Sequence, residues 1–346
     1  MMTVRFANTE EINTWNKLII ANPNGGTIFQ SKEFANIKAA NNWTPRYIII
    51  KNISIMVLER KIPFLGNFWY ISKGPNITST ADLKNMLHDL RIFAKKNNVF
   101  TVKIEPELLE TPENINNLIK FGLKKSRAIQ AANTVVVNIN RPLDDIVASF
   151  SSKARGNIRA AQKAGVTTEI VPINDKNCKS FYGMMTATIN GRSHVRNFEY
   201  FKNFWQTHYN AGTGIFMFAK AEDKVVSMDF IMILGKNAAR KDAGSTRDHS
   251  IRGASALLEL EAIKYLKEIG VTDYDLYGSP PSDQIKNPNH PYYGFGTFKA
   301  GFNSQITDYV GCYDLIIKPI AYKFWRKYGE RIAHRIYFYQ HHDLYY

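Results

Sequence analysis

The residues with the most chemical character lie in the segment 273–301, DYDLYGSPPSDQIKNPNHPYYGFGTFKAG. Its first few residues read as a short strand, which stops at Gly278, Ser279, Pro280 and Pro281, a run that no helix or interior strand continues through. Beyond it Tyr292, Tyr293, Phe295 and Phe298 crowd together with Gly294, Gly296 and a single lysine, Lys299, on what the composition predicts to be a loop. A strand end that opens into such a loop is where open sheets carry ligand sites. A cation flanked by glycines can approach a negative charge as it develops on a reacting carbonyl. The same spacing also suits a lysine that is merely solvated on an aromatic-anchored surface loop.

Competing chemistries lack their signatures. The sequence holds no Gly-x-Ser-x-Gly elbow, no phosphate-binding Walker loop and no HExxH, and its eight histidines are scattered. Cys178 and Cys312 are far apart with no metal-type spacing, which predicts free thiols in a reducing compartment and no metal. No stretch approaches the ~20 apolar residues of a membrane span. The N-terminal MMTVRFANTEEINTW carries acidic residues and no apolar core, so a cytoplasmic protein without a signal peptide is expected. A formal net charge of +15, from 45 Lys+Arg against 30 Asp+Glu, favours polyanionic partners: nucleic acid, nucleotide-linked substrates or an anionic membrane surface.

The elements that must position Lys299 recur along the chain. Strand-like runs at 47–50, 55–58 and 68–71 have hairpin spacing. A helix over 80–97 follows, with Leu83, Met86, Leu87, Leu90 and Phe93 on one face, then a buried strand over 100–104 stopped by Glu105 and Pro106. The same order returns as a hairpin over 215–234, a helix over 253–268, a strand over 272–276 and the Gly-Pro turn. NNVFTVKIEP at 97–106 lines up with IGVTDYDLYG at 269–278, so the chain reads as two copies of one α+β unit. A strand at 133–139 precedes Arg141, Pro142 and Leu143, which mark the boundary between copies.

Three basic segments stand out. A helix over 28–43 carries Phe29, Phe34 and Ile37 inward and Lys38 near its C-terminal end, where a lysine complements the helix dipole. In SSKARGNIRAAQKAG, at 151–165, Arg155, Arg159 and Lys163 form one stripe that is either a solvated face or a contact for a nucleic-acid backbone. The last helix, over 319–337, interleaves Phe324, Trp325, Tyr328, Ile332 and Ile336 with Lys323, Arg326, Lys327, Arg331 and Arg335, the pattern either of a helix packed on its domain or of one lying on an anionic membrane.

YDLYG, GFGTFKAGF and the Tyr309-Val310-Gly311 element, in this order and spacing, resemble the C-terminal part of the FemABX family of non-ribosomal peptidyltransferases, and most closely its short FemX type. The resemblance extends over nearly the whole chain, including SK-x-R-x-x-IR-x-A-x-K-x-GV near residue 152. It implies an α+β fold of two acetyltransferase-like (GNAT) domains facing across a cleft, without the coiled-coil arm that relatives acting on lipid II carry. Domain one would span 1–140 and be completed by 312–346, with domain two over 141–311. The usual acetyl-coenzyme A turn is degenerate at 250–255 (SIRGAS), so no cofactor is expected. The implied enzyme is a cytoplasmic, monomeric aminoacyltransferase taking an amino acid from aminoacyl-tRNA to the third stem residue of UDP-MurNAc-pentapeptide, in peptidoglycan cross-bridge synthesis. The same chemistry on lipid II or in a secondary-metabolite pathway, and a non-catalytic basic RNA-binding module, are the alternatives.

Residue by residue, the resemblance places the functional lysine at Lys299 and the diphosphate contacts at Lys38 and Arg196, with Tyr200 beside Arg196. Trp43 falls at a substrate-side tryptophan, although the interval from Lys38 is two residues longer here. Phe298 stands ready to stack on the tRNA end or to anchor its loop, and Arg155 and Arg159 lie where the tRNA arm would pass. Glu105, at the family's Asp-Pro position, is the candidate general base. Arg240 and Asp242 replace tyrosines that line the family's substrate groove, so a different contact with the peptide end is expected there.

Overall fold

The computed structural model describes residues 4–189, 191, 195–246 and 251–346; Ser250, the first residue of the degenerate cofactor turn, lies outside the described residues. The chain forms two compact units, Met1–Ala132 with Tyr309–Tyr346, and Asn133–Asp308. In chain order the first unit holds β1 (Val4–Phe6), α1 (Thr9–Asn13), α2 (Trp15–Ile20), a 3-10 turn (Ile28–Gln30), α3 (Lys32–Ala39), β2 (Thr44–Ile50), β3 (Ile53–Ile62), β4 (Gly66–Ile71), α4 (Thr80–Lys96), β5 (Val99–Ile104), α5 (Pro112–Lys120) and β6 (Leu123–Lys125). The second holds β7 (Asn133–Thr134), β8 (Val136–Asn138), α6 (Leu143–Ser149), α7 (Ser152–Lys163), β9 (Thr167–Val171), α8 (Asp175–Ile189), α9 (Phe198–Asn210), β10 (Gly214–Ala221), β11 (Lys224–Leu234), β12 (Asn237–Ser245), α10 (Ala254–Glu268), β13 (Asp273–Asp275), α11 (Tyr293–Lys299) and β14 (Thr307–Asp308). The chain returns to the first unit with β15 (Tyr313–Ile316), α12 (Pro319–Phe324), a π turn (Trp325–Gly329) and α13 (Glu330–His341).

Each unit is built on the same plan. The first sheet runs β1-β2-β3-β4-β5-β15-β6 and the second β8-β13-β12-β11-β10-β9. In both, an antiparallel meander (β1 to β4, β9 to β12) leads into a helix, α4 or α10, and then into a strand parallel to the last strand of the meander. Parallel neighbours need a crossover, which the helix supplies. An antiparallel strand, β15 or β8, then pairs with its far side; β8 ends the second sheet, and in the first β6 adds one more strand beyond β15. Because β8 pairs with β13, the residues from Asn133 to Asn138 belong to the second unit, not to the end of the first as the sequence reading had it.

Local chemistry explains the crossover helices. Ser79 and Asp82 form a capping box at the start of α4, and Leu83, Met86, Leu87 and Leu90 bury its inner face at three-and-four spacing. α10 begins after Gly253 at φ +88°, where a Cβ would sit 2.0 Å from the backbone oxygen of Asn157 on α7, so only glycine lets the two helices approach this closely. Buried Leu257, Leu258, Leu260, Ile263 and Leu266 then hold α10 in the core with Phe302 and Tyr274.

Three elements differ from expectation. The single helix read over 28–43 is broken at Ser31, which is extended and accepts a hydrogen bond from the Phe34 amide as the cap of α3. β12, NAARKDAGS, has little strand propensity, yet it is paired on both sides and its register is set by its neighbours. The glycine-rich stretch read as a loop is the helix α11: Gly296 has Pro280 so close that a Cβ would meet its Cδ at 2.3 Å, and this packing on the proline turn accompanies a helix that propensity disfavours.

Candidate active site

The turn after β13 is wound around two consecutive left-handed residues, Tyr277 (φ +51°) and Gly278 (φ +83°). A tyrosine in this region is uncommon and costs conformational energy, a feature that clusters at functional sites. Asp275 braces it by accepting from the Tyr277 amide at 2.7 Å and from the Thr134 hydroxyl, while the Gly278 amide donates to that same hydroxyl oxygen at 3.1 Å. The turn presents two carbonyl oxygens, and Lys299 at the end of α11 donates to both, at 2.6 Å to Tyr277 and 2.7 Å to Gly278.

Lys299 is 7% exposed. Burial pulls its pKa down to about 7, helped by the Arg240 guanidinium and opposed by Asp275, Glu259 and Asp229. The amine is therefore able to exist in either protonation state near neutrality. Behind it lies an ionic cluster fully enclosed by β11, β12, β13 and α10. Arg240 contacts Asp229 at 2.6 Å and Glu259 at 2.7 Å, and the Tyr274 hydroxyl donates to Glu259 at 3.0 Å. Asp229 and Glu259 are 0% exposed, and burial pushes both carboxyls above their ordinary range against the opposing pull of Arg240.

Phe298, next to Lys299, packs on the core and edge-on to Phe302 at 5.3 Å, with the Arg240 guanidinium 5.6 Å from its ring centre. Its ring also lines a cavity of about 260 Å³ together with Ser151, Lys153, Asn157, Gly294 and Phe302. The cavity thus combines an aromatic floor with a polar rim carrying one cation, an arrangement suited to a planar ring attached to an anionic backbone.

The remaining sequence candidates fall elsewhere. Arg196 stacks its guanidinium 4.3 Å over the Tyr200 ring, at the start of α9, where Asn197 caps the helix by accepting from the Tyr200 amide. Lys38 lies in the last turn of α3 in the first unit, 6% exposed and 5.3 Å from the Phe34 ring centre. Trp43 is buried, with the Arg60 guanidinium 4.2 Å from its ring and Tyr346 stacked at 6.1 Å. On α7, Arg155 donates to the carbonyls of Ala148 and Phe150 and so caps α6, while Arg159 is exposed.

Two expectations are corrected. Glu105 is buried, and its carboxylate already accepts from the Tyr70 hydroxyl at 2.5 Å and from the amides of Ile129 and Gln130 at 2.6 and 3.1 Å; such an oxygen pair organises a turn and is poorly placed to take up a substrate proton. Arg240 and Asp242, expected to alter a substrate groove, instead face inward: Arg240 into the acidic cluster and Asp242 onto the Trp205 indole, which donates to it at 2.9 Å. A bulge in the β11–β12 ladder makes Lys241 the extra residue between them, with its amine 5.3 Å from the Tyr277 ring centre.

Sequence reading missed Asp229 and Glu259. The available signal was one acid inside VVSMDFIMIL and another inside SALLEL, since a charge in an apolar run must find a buried partner.

Among the described residues no group of His, Cys, Asp or Glu could hold a metal ion, and no helix is long and apolar enough to cross a membrane. Comparison with known proteins gives consistent results. The profile of the FemAB family matches residues 9–227 and 216–328. A lipid II:glycine glycyltransferase of Staphylococcus epidermidis is 22% identical, with 90% of this chain and 93% of that protein aligned. Its Staphylococcus aureus counterpart is 21% identical over 88% and 91%. Among solved structures, FemX superposes with a TM-score of 0.79 at 18% identity, covering 93% of this chain and 99% of its own, and shares the fold.

Proposed function

That the chain belongs to the FemAB family is the premise from which we propose an aminoacyltransferase of peptidoglycan cross-bridge synthesis, moving an amino acid from aminoacyl-tRNA to the side-chain amine of the third stem residue of UDP-MurNAc-pentapeptide. The observation that carries this reading is Lys299, an amine that burial pulls down to a pKa of about 7, held by two backbone carbonyls and following directly on Phe298, which lines the cavity.

The ester of aminoacyl-tRNA is already activated, so the protein needs to hold the reactants and stabilise charge. The acceptor amine attacks the ester carbonyl carbon. A C–N bond forms, the carbonyl electron pair moves to oxygen, and the protonated Lys299 donates to that oxyanion. Collapse expels the ribose oxygen, which takes up the proton that the attacking nitrogen gives up, leaving an amide and a free tRNA hydroxyl. Phe298 and Lys153 receive the tRNA end in the 260 Å³ cavity, the ring by stacking and the ammonium by contact with phosphate. Arg159, exposed on α7, lies along the path of the acceptor arm, with Arg155 tying α7 to the carbonyl end of α6. Arg196 contacts the acceptor's diphosphate, for which its planar guanidinium is suited, and Tyr200 supports that guanidinium from below; Lys38 is a cation that the first unit offers to an anionic substrate. Trp43, buried among aromatic residues of the first unit, packs that unit's interior and offers no face to a substrate.

The names of the curated relatives favour a second acceptor, lipid II, which carries the same diphosphate and peptide on a lipid. Incubation with aminoacyl-tRNA and each acceptor in turn decides between them. Product on the soluble nucleotide that disappears in Lys299→Ala supports the first reading, and product on lipid II alone supports the second. Tight tRNA binding with no product on either would make the chain a non-catalytic RNA-binding module.

A further inference from the structure

The C-terminal helical segment turns an apolar ridge to solvent. Ile320, Phe324, Tyr328, Ile332 and Ile336 recur at every fourth residue, each 48 to 89% exposed, and Tyr339 extends the row at 82%. Lys323, Lys327, Arg331 and Arg335 recur at the same interval, one position before each apolar residue from Phe324 on, and are exposed too. A four-residue repeat drifts around an α-helix by about 40° per step. The π turn at Trp325–Gly329, with more residues per turn, takes part of that drift back, so ridge and basic stripe stay side by side from α12 into α13. The segment spans roughly 34 Å.

The ridge does not serve the core. The segment is anchored by its other face, where Tyr322, Trp325 and Tyr337 are buried and His334 stacks on Tyr345 at 4.9 Å. Of the five apolar residues that the sequence pattern offered either to the domain or to a membrane, Trp325 alone is buried; Phe324, Tyr328, Ile332 and Ile336 are about half exposed. Exposed apolar rows of this size on a soluble domain mark an interaction surface. The flanking charge is cationic, and the one acid on this segment, Glu330, pairs with Arg326 at 3.4 Å and accepts from the Tyr346 hydroxyl at 2.7 Å. The complement of an apolar row edged by cations is an apolar layer edged by anions.

We propose that this segment docks the protein on the surface of an anionic lipid bilayer, with Ile320, Phe324, Ile332 and Ile336 entering the acyl boundary and Lys323, Lys327, Arg331 and Arg335 resting among the headgroups. Long basic side chains suit this placement because their stems lie on apolar surface while their charges reach water. The inference does not rest on the transfer chemistry, and neither RNA nor peptide is needed to examine it.

The test is co-sedimentation of the full chain with vesicles of phosphatidylcholine plus phosphatidylglycerol, and with vesicles of phosphatidylcholine alone. The expected result is partition onto the anionic vesicles, weakened by salt, and lowered at least about tenfold in Ile332→Ser/Ile336→Ser and in Lys327→Gln/Arg331→Gln/Arg335→Gln. All five positions are exposed, so circular dichroism and Tm should match the wild type. The proposal is overturned if the wild type does not partition, if it binds phosphatidylcholine alone equally well, or if both variants bind as it does. It is also overturned if sedimentation equilibrium shows a dimer that Ile332→Ser/Ile336→Ser dissociates, since the ridge would then be covered by a second copy of the chain.

Discussion

Lys299 Nζ donates to the carbonyl oxygen of Tyr277 at 2.6 Å, and that carbonyl is aimed at it by a left-handed tyrosine. Two backbone oxygens, rather than a carboxylate, are the amine's hydrogen-bond acceptors. It is held in place without a neutralising contact, so its charge remains available to a third partner arriving from the substrate. Replacing it with methionine keeps the packing of the stem and removes the charge. Transfer should fall by about 10²–10³ in kcat, the range for a lost oxyanion donor. Lys299→Arg should not rescue it, because a planar fork does not fit two carbonyls set for an ammonium. Single-turnover transfer with saturating substrates measures this, and activity within threefold of wild type in Lys299→Met would remove Lys299 from the reaction.

The amine's lowered pKa sets a pH profile with a defined sign. If protonated Lys299 stabilises the oxyanion, activity falls as pH rises through about 7. Fold stability moves the other way. A lysine that titrates at 10.5 when unfolded and about 7 when folded binds fewer protons in the folded state across that interval, so the fold gains stability from pH 7 toward 10.5. Glu259 opposes this only at lower pH, its raised pKa weakening the fold as pH climbs from 4.5 to about 7. Loss of activity above neutrality should therefore accompany an unchanged or higher Tm from this pair. Glu259→Gln removes a negative charge that supports the ammonium, so the alkaline limb should shift to lower pH. A limb that stays where it was in that variant would show that another group controls it.

The fold was legible where periodicity was strong and the site only where a lysine stood out. Leu83, Met86, Leu87 and Leu90 announce α4 because a 3.6-residue period has no other reading. The repeated order of hairpin, helix and strand announces two α+β units. Strand β12 was invisible because Ala238, Ala239 and Gly244 carry no strand signal and its place comes from β11 and β13 on either side. Lys299 was found, but its setting was misread, since glycines at 294 and 296 speak for a loop and the contact with Pro280 that accompanies the helix is 16 residues away in sequence from Gly296. Arg240 was noticed as a departure and given the wrong direction. Side-chain orientation in a bulged strand depends on the bulge, and that is not written in local sequence.

The same contact makes Gly296 a lever on the site. A Cβ there would lie 2.3 Å from Pro280 Cδ and 2.9 Å from its Cγ, in a ring that cannot rotate away. Gly296→Ala must therefore push α11 off the turn and carry Lys299 away from the carbonyls of Tyr277 and Gly278. A displacement near 1 Å is enough to cost about 10²-fold in rate. Gly183, exposed on α8, has open space where a Cβ would sit, so Gly183→Ala is the control and should leave kcat within a few-fold of wild type. Equal rates for the two variants would show that the position of α11 does not matter.

Arg240 is the residue on which the buried cluster depends for stability. It stands 2.6 Å from Asp229 and 2.7 Å from Glu259, both carboxyls are 0% exposed, and Asp229 Oδ2 has no hydrogen-bond partner among the described residues. Arg240→Met leaves two acids enclosed without a cation, which costs about 3–5 kcal/mol when one partner of a buried pair is removed. The loss should depend on pH with a particular sign. Without Arg240 both carboxyls are pushed higher, so protonating them relieves the repulsion, and the variant should recover part of its deficit at pH 5 relative to pH 8. Replacing all three with apolar residues of similar volume should restore more stability than the single change, since no charge is then left buried. Urea unfolding at the two pH values measures both effects. A deficit below about 1 kcal/mol, or one that is the same at pH 5 and pH 8, would mean that the cluster is reached by water and that Arg240 is not what holds its charges in place.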